Sequence, residues 1–136
     1  MKVIIDTNVL ISGIFWEGPP HKILQLWKDN MIELVLSPDI LEEYYRVSKS
    51  IKTKYPQINI STILEMISLH SVVVDISPPY PNITTDKDDD KFIVCAEKSN
   101  TKVVISGDKH LLDVNGYYGI EVLKPKPFMD KYFSNY

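Results

Sequence analysis

Two short apolar runs, each followed closely by an aspartate, constrain the fold of this chain most. Asp6 follows Val3–Ile5 directly, and Asp108 follows Val103–Ile105 after a Ser-Gly pair. Continuous apolar runs of this length are typical of strands that are buried on both faces of a parallel sheet. The carboxyl ends of parallel strands are where α/β sheets place ligands and chemistry. The sequence therefore predicts that both aspartates lie at one functional edge of a sheet.

Strand-like and helix-like segments alternate along the whole chain, which is typical of βαβ units and a mainly parallel sheet. Apolar residues at helical spacing predict a helix around Ile23–Trp27, and Ser37 followed by Pro38 is a standard helix start. We therefore predict a single-domain three-layer α/β/α sandwich over residues 1–136, with a central sheet of about four to five strands. The expected strands are 2–5, 32–36, 72–75, 102–105 and 120–123, the further helices are 60–69, 88–99 and a short one near Leu111, and the turns and loops are 6–8, 16–20 and 78–81.

The composition limits the class of protein. A chain of 136 residues with 44% hydrophobic and 24% charged residues is ordinary for one globular domain. The single cysteine, Cys95, lies in an apolar stretch, excludes an internal disulfide and is expected in the core. No apolar run approaches the roughly 18 residues of a membrane span, and no signal peptide is recognisable, so we expect a soluble, cytoplasmic protein. The net charge of −3 argues against passive nucleic-acid binding through a basic surface.

Helical geometry distinguishes the two neighbouring glutamates of the segment SPDILEEYYRV. Glu42 points away from the apolar stripe of this helix, and Arg46 is its favourable partner one turn later. Glu43 lies at the edge of the stripe, where a solvated carboxylate is a weaker explanation. We therefore select Glu43 as a functional candidate. The stripe consists of Ile40, Tyr44, Val47 and Ile51.

The same geometry applies to the acidic segment TTDKDDDKFIVCA. Asp89 shares a helix face with the apolar residues that must pack on the sheet, whereas Asp88 and Asp90 lie about 100° to either side. Acidic residues at a helix N-terminus are also favoured by the helix dipole, which explains the cluster but not an acid on the apolar face. Asp89 is therefore the candidate, with Asp90 as an alternative.

Other known sites fit this sequence poorly. The acidic segment has the spacing of a calcium-binding EF-hand loop, but Lys91 stands where that loop needs glycine for its sharp turn. No dinucleotide-binding or phosphate-binding glycine loop, no serine nucleophile elbow and no zinc spacing is present. The histidines His21, His70 and His110 are scattered, and of these His110 alone follows closely on a candidate acid, Asp108.

Four carboxylates that converge without a basic partner would repel one another strongly unless a divalent cation lay between them. We therefore predict a magnesium-type site formed by these four acids. Hydroxyl and amide side chains beside the strand-end acids can orient carboxylates or water, although they also serve ordinary turn hydrogen bonds. These supporting side chains are Thr7, Asn8 and Ser106.

The ordered motifs IIDTNVLIS, LEEYYRV, DKDDDKFIVCA and VVISGDKHLL resemble the PIN-domain family, and in particular its VapC-like ribonucleases, the toxins of toxin–antitoxin systems. The resemblance covers residue 2 to about residue 128. It implies a parallel sheet flanked by helices, dependence on Mg²⁺ or Mn²⁺, and cleavage of single-stranded RNA. Matched motif by motif, it implies that Asp6, Glu43, Asp89 (or Asp90) and Asp108 form the catalytic and metal-binding set.

We therefore expect a metal-dependent endoribonuclease, with single-stranded RNA as substrate and, by family resemblance, a cognate antitoxin as partner. Two alternatives belong to other classes: a non-catalytic PIN-like module that binds RNA or protein, and a metal-dependent phosphatase or phosphotransfer domain. The second normally needs another acid beside Asp6 or a well-placed lysine, and the DTN motif supplies neither. A homodimer is also open, with Trp16, Tyr44 and Tyr45 as candidate exposed aromatics at its surface.

Overall fold

A computed structural model describes all residues, 1–136, and contains one five-stranded sheet. The strands lie in the order β3-β2-β1-β4-β5, and every neighbouring pair is parallel. The predicted α/β fold with a mainly parallel sheet is therefore confirmed, at the upper end of the expected strand number. The strands are β1 (Lys2–Ile5), β2 (Glu33–Leu36), β3 (Val72–Val73), β4 (Val103–Ile105) and β5 (Glu121–Leu123).

Seven helices connect and flank these strands. None of them combines the length and the apolar character needed to cross a membrane. Helix α5 packs on β2 and β4 and contacts α3, whereas α2 contacts both α1 and α7. The helices are α1 (Thr7–Phe15), α2 (Pro19–Lys28), α3 (Pro38–Lys52), α4 (Ile60–His70), α5 (Asp90–Ser99), α6 (Lys109–Leu112) and α7 (Pro125–Tyr132), with 3₁₀ turns at Lys87–Asp89 and Tyr117–Gly119.

The apolar runs form the central strands because burial on both faces leaves no position for a polar side chain. All three residues of Val3–Ile5 and of Val103–Ile105 are buried. They belong to a core of 30 buried apolar residues. Cys95 on α5 is fully buried in the same core and makes no disulfide, as expected.

Helix α3 begins directly after β2 because its first turn is capped. The backbone N–H of Ile40 donates to Ser37 Oγ at 3.3 Å, and Pro38 occupies the first helical position. This predicted start is confirmed. Its consequence is that the first turns of α3, which carry Glu43, lie at the edge where the parallel strands end.

The strand order places a topological switch point between β1 and β4. The chain leaves β1 through α1 and α2 to reach β2 on one side, whereas β4 pairs with β1 on the other side. The backbone N–H of Asp6 donates to Ile105 O at 2.9 Å, so the two strands end together. Ligand sites of open α/β sheets lie in such crevices beyond the carboxyl ends of the strands.

Three segments differ from the expectation. Residues 6–8 do not form a separate turn, because α1 starts at Thr7 immediately after β1. Helix α7 was not expected, since two prolines interrupt its sequence; Pro125 is accommodated at the first helical position, where no N–H is needed. Strand β3 is two residues long rather than four, although the Val74 N–H still donates to Leu36 O at 2.8 Å.

Candidate functional site

Asp6, at the end of β1, is 5% exposed. The hydroxyl of Ser106, at the end of β4, donates to Asp6 Oδ2 at 2.6 Å. Burial raises the pKa of Asp6 to about 6, the hydrogen bond from Ser106 opposes this rise, and the charges of Asp108 and Glu43 add to it. Asp6 is therefore a carboxylate held close to other negative charge.

Ser106 also connects Asp6 to Asp108. The backbone N–H of Asp108 donates to Ser106 Oγ at 2.9 Å, so the buried hydroxyl donates once and accepts once. Asp108 Oδ1 accepts the backbone N–H of His110 at 2.8 Å and caps α6. The side chain of His110 pairs with Thr85 through Nδ1, at 2.5 Å from Thr85 Oγ1, rather than with an acid.

Asp89 is buried, with 7% exposure, in the 3₁₀ turn that leads into α5. Burial raises the pKa of Asp89 well above the ordinary range, a hydrogen bond shared with Asp108 raises it further, and the charges of Asp108 and Asp6 add to the rise. Its Oδ2 atom is buried and has no hydrogen-bond partner. Asp88 is exposed, as predicted, although the expected helix 88–99 begins only at Asp90 and both acids lie in the preceding turn. A buried carboxylate oxygen without a partner is rare and requires an explanation.

Asp90, the alternative to Asp89, is 2% exposed and has a different set of contacts. Its Oδ1 atom accepts the backbone N–H of Ile83 at 3.2 Å and that of Thr84 at 2.7 Å. These contacts fasten the loop that precedes the acidic turn. Asp90 is therefore explained by loop structure, whereas Asp89 is not.

Replacing Asp90 with Ala should lower the free energy of unfolding by about 1–3 kcal/mol, because two backbone amides lose a charged acceptor. Urea denaturation measures this change, and Asp88→Ala is the matched control because Asp88 is exposed. Equal effects of the two substitutions would contradict the role of Asp90 in holding the loop.

Both carboxylate oxygens of Glu43 have partners. The Thr7 hydroxyl donates to Oε2, and Lys91 Nζ donates to Oε1 at 2.6 Å. The Glu43 side chain is 14% exposed. Glu42, in contrast, forms an exposed pair with Arg46 at 3.2 Å, as predicted. The assignment of the two glutamates to an inner and an outer helix face agrees with these exposures.

The expectation that the acids lack a basic partner is wrong, because Lys91 is 9% exposed and bound to Glu43. The residues of α5 from Asp90 to Ala96 are all buried, so this half of the helix has no solvent face. The sequence contains one indication of this burial, the run of five consecutive apolar residues Phe92–Ala96. A helix that is apolar on every face is buried on every side. A lysine at its start must then point inward.

Tyr44, expected as an exposed aromatic, is 1% exposed and is corrected to a core residue. Its hydroxyl donates to the backbone oxygen of Ile5 at 2.5 Å. This contact fixes α3 to the last residue of β1 and thereby brings Glu43 towards Asp6. Trp16 is 49% exposed and Tyr45 is half-buried, so the proposed aromatic surface is reduced to these two.

Asn8 does not contact the acids directly but is exposed on the first turn of α1. Together with Asp108 it lines an open cavity of about 360 Å³ beside the strand ends. The remaining lining residues are Val9, Ser12, Pro20, Gly107 and Pro125. Asp108 is therefore reached from solvent on the side of α1.

The predicted acids meet at one end of the sheet, but no three of them approach closely enough to form a complete cation site. The donor set nevertheless fits a hard divalent cation, which prefers carboxylate oxygens. The buried, unpartnered Oδ2 of Asp89 points to the same conclusion. Asp6, Asp89 and Asp108 are the side chains able to contribute, because both oxygens of Glu43 are already bound.

Comparisons with known proteins give a family and a fold. A family model described as a PIN domain matches residues 2–110. Among solved structures, the chain is similar to the crystal structure of VapBC2 from Rickettsia felis bound to a DNA fragment from their promoter. The identity is 17%, the TM-score is 0.57, and the match covers 91% of this chain and 98% of that chain. No curated protein matches.

Proposed function

This chain belongs to the PIN domain family, and on that premise we propose that it is a metal-dependent endoribonuclease that hydrolyses single-stranded RNA. The observation that carries the proposal is the buried, unpartnered Asp89 Oδ2 beside Asp6 and Asp108. Without a cation, Asp89 is stabilised only by keeping its proton and sharing it with Asp108, whereas a bound cation would stabilise the ionised carboxylate.

In this proposal Asp6, Asp89 and Asp108 hold Mg²⁺ or Mn²⁺. The cation, when bound, lowers the pKa of water and stabilises negative charge on phosphate oxygens. Ser106 orients the Asp6 carboxylate and Thr7 orients Glu43, through the hydrogen bonds that their hydroxyls donate. Glu43 acts from outside the cation's ligands: Thr7 and Lys91 hold its carboxylate in place, and the remaining lone pairs of its oxygens orient the attacking water.

The partners follow from the same proposal. The similar solved structure contains VapBC2, which supports a VapC-like toxin with an antitoxin partner for this chain. RNA is proposed to approach through the cavity lined by Asn8 and Asp108, since one of the proposed metal ligands, Asp108, lies in its wall. We also propose that the protein is cytoplasmic and that it can form a homodimer.

A cleavage assay tests the proposed function against both alternatives. The purified protein is incubated with unstructured RNA or with a phosphomonoester, in Mg²⁺, Mn²⁺ or EDTA. We expect internal cleavage of RNA with either metal and none with EDTA. Hydrolysis of the phosphomonoester alone would indicate a phosphatase. Binding of RNA without cleavage in any metal would indicate a non-catalytic module.

Matched pairs of acids test the assignment of individual residues. Glu43→Gln should lower the cleavage rate at least about tenfold more than Glu42→Gln, because a carboxylate that orients the attacking water contributes to the rate and a solvated one does not. Asp89→Asn should likewise lower the cleavage rate at least about tenfold more than Asp88→Asn. Rates at saturating RNA are compared after circular dichroism confirms that each variant is folded. Equal losses within either pair would show that its acid is wrongly assigned.

A further inference from the structure

Lys91 occupies a position that is unfavourable for a cation in two respects. It is 9% exposed, and burial of an ammonium group costs free energy unless the group is paired. It also lies in the first turn of α5, where the helix dipole disfavours positive charge. The contacts that compensate are the ion pair with Glu43 at 2.6 Å and the Phe92 ring, whose centroid lies 5.6 Å from Nζ.

Both oxygens of Glu43 are engaged, since Lys91 binds Oε1 and Thr7 binds Oε2. The other three acids have no basic partner, because each salt bridge of the acidic site involves Glu43. Positive charge is therefore supplied to one acid, and the space near Asp6, Asp89 and Asp108 is left for another cation.

We propose that Lys91 is a built-in counter-cation of the acidic site, which holds Glu43 away from the bound metal and limits the substrate-free site to one divalent ion. The inference rests on the proposed function, because it assigns a role to Lys91 in that same site. When ionised, the four acids together with Lys91 and the more exposed Arg46, whose Nη2 lies 3.8 Å from Glu43 Oε1, carry a formal charge of −2, and one divalent ion neutralises it. A second ion would make the site positive before any phosphate arrives.

A purely mechanical role is the competing explanation, in which the ion pair only joins α5 to α3. The two explanations differ in their effect on metal affinity. If Lys91 acts through its charge, removing Lys91 and removing the Glu43 charge change the affinity in opposite directions. If the pair is only a mechanical link, either substitution loosens the same contact and the two changes have the same sign.

Isothermal titration of the metal-free protein with Mn²⁺ measures this effect without RNA. We expect one ion per wild-type chain. Lys91→Met should tighten binding at least about tenfold, equivalent to about 1.4 kcal/mol, and Glu43→Gln should weaken it by a similar factor. The double variant restores the wild-type formal charge and should bind within about threefold of wild type. Lys91→Arg keeps the charge and should also stay near wild type.

Lys87→Met is the control, because Lys87 is an exposed lysine in the same acidic segment. If Lys91→Met does not fold, adding Lys91→Met to the Glu43→Gln protein gives the same test, since it must tighten Mn²⁺ binding. Weaker or unchanged binding in that comparison would overturn the inference, as would two ions in the wild type. A double variant far weaker than wild type would show that Glu43 itself binds the metal. Absence of any Mn²⁺ binding by the wild type would instead overturn the proposed function.

Discussion

Asp6→Asn should lower the rate of RNA cleavage by at least about a hundredfold, or roughly 3 kcal/mol of transition-state stabilisation. Asp6 lies where β1 and β4 end together, is bound by Ser106, and is close to the charges of Asp108 and Glu43. An asparagine keeps an oxygen that can accept the Ser106 hydrogen bond but removes the negative charge. The substitution therefore tests the charge with little change in shape.

Cleavage by Asp6→Asn is measured under single-turnover conditions in Mg²⁺ and in Mn²⁺. Asp113→Asn is the matched control, because Asp113 is exposed at the end of α6. A rate for Asp6→Asn within a few-fold of this control would show that chemistry occurs elsewhere.

The same substitution should raise the melting temperature of the metal-free protein at neutral pH. The pKa of Asp6 is about 6 in the folded state and 3.8 when exposed, so the folded state binds more protons between these values. Stability is therefore greatest below the unfolded pKa and is lost as pH rises through the folded pKa. The free energy of unfolding falls by about 3 kcal/mol over this range, because one pKa unit corresponds to about 1.4 kcal/mol. Asp6→Asn removes it.

Thermal melts in EDTA at several pH values measure this effect. The advantage of Asp6→Asn over wild type should be absent near pH 3.8, grow up to about pH 6 and then level off. Millimolar Mg²⁺ should stabilise the wild type by mass action and the variant much less. A variant that melts lower than wild type in EDTA, or an equal shift of both proteins by Mg²⁺, would contradict the assignment of Asp6 to a metal site.

The sheet and the acids at its strand ends were predictable from local pattern. Val3–Ile5 and Val103–Ile105 identify buried parallel strands, and the acids that follow them must then lie at one edge. Helical spacing also separates Glu43 from Glu42, because side-chain direction in a helix depends on position alone. The same spacing selects Asp89 over Asp88, although both lie in the 3₁₀ turn before α5, but it wrongly places Asp90 away from the buried face. These inferences need no knowledge of what packs against each element.

The partners of each carboxylate were not predictable in this way. The pairing of Lys91 with Glu43 depends on how α5 packs against α3, across 48 positions of sequence. Asp90 differs from Asp89 only through the loop amides of Ile83 and Thr84, and such a loop has no periodicity. The helical spacing of Tyr44 does not show whether its ring lies at the surface or in the core. That depends on how α3 packs against β1, whose last residue accepts the Tyr44 hydrogen bond.

The hydrogen bond from Ser106 to Asp6 spans 100 positions of sequence, and it therefore governs when the site can exist during synthesis. Strands β1 and β2 can pair early, but β4 must insert beside β1 before the two acids are connected. This pairing cannot form before β4 has been synthesised, and closing so long a loop costs conformational entropy. A nascent chain that has not yet exposed Ser106 lacks a complete acidic site. The order of the strands thus delays assembly of the site until most of the chain has left the ribosome.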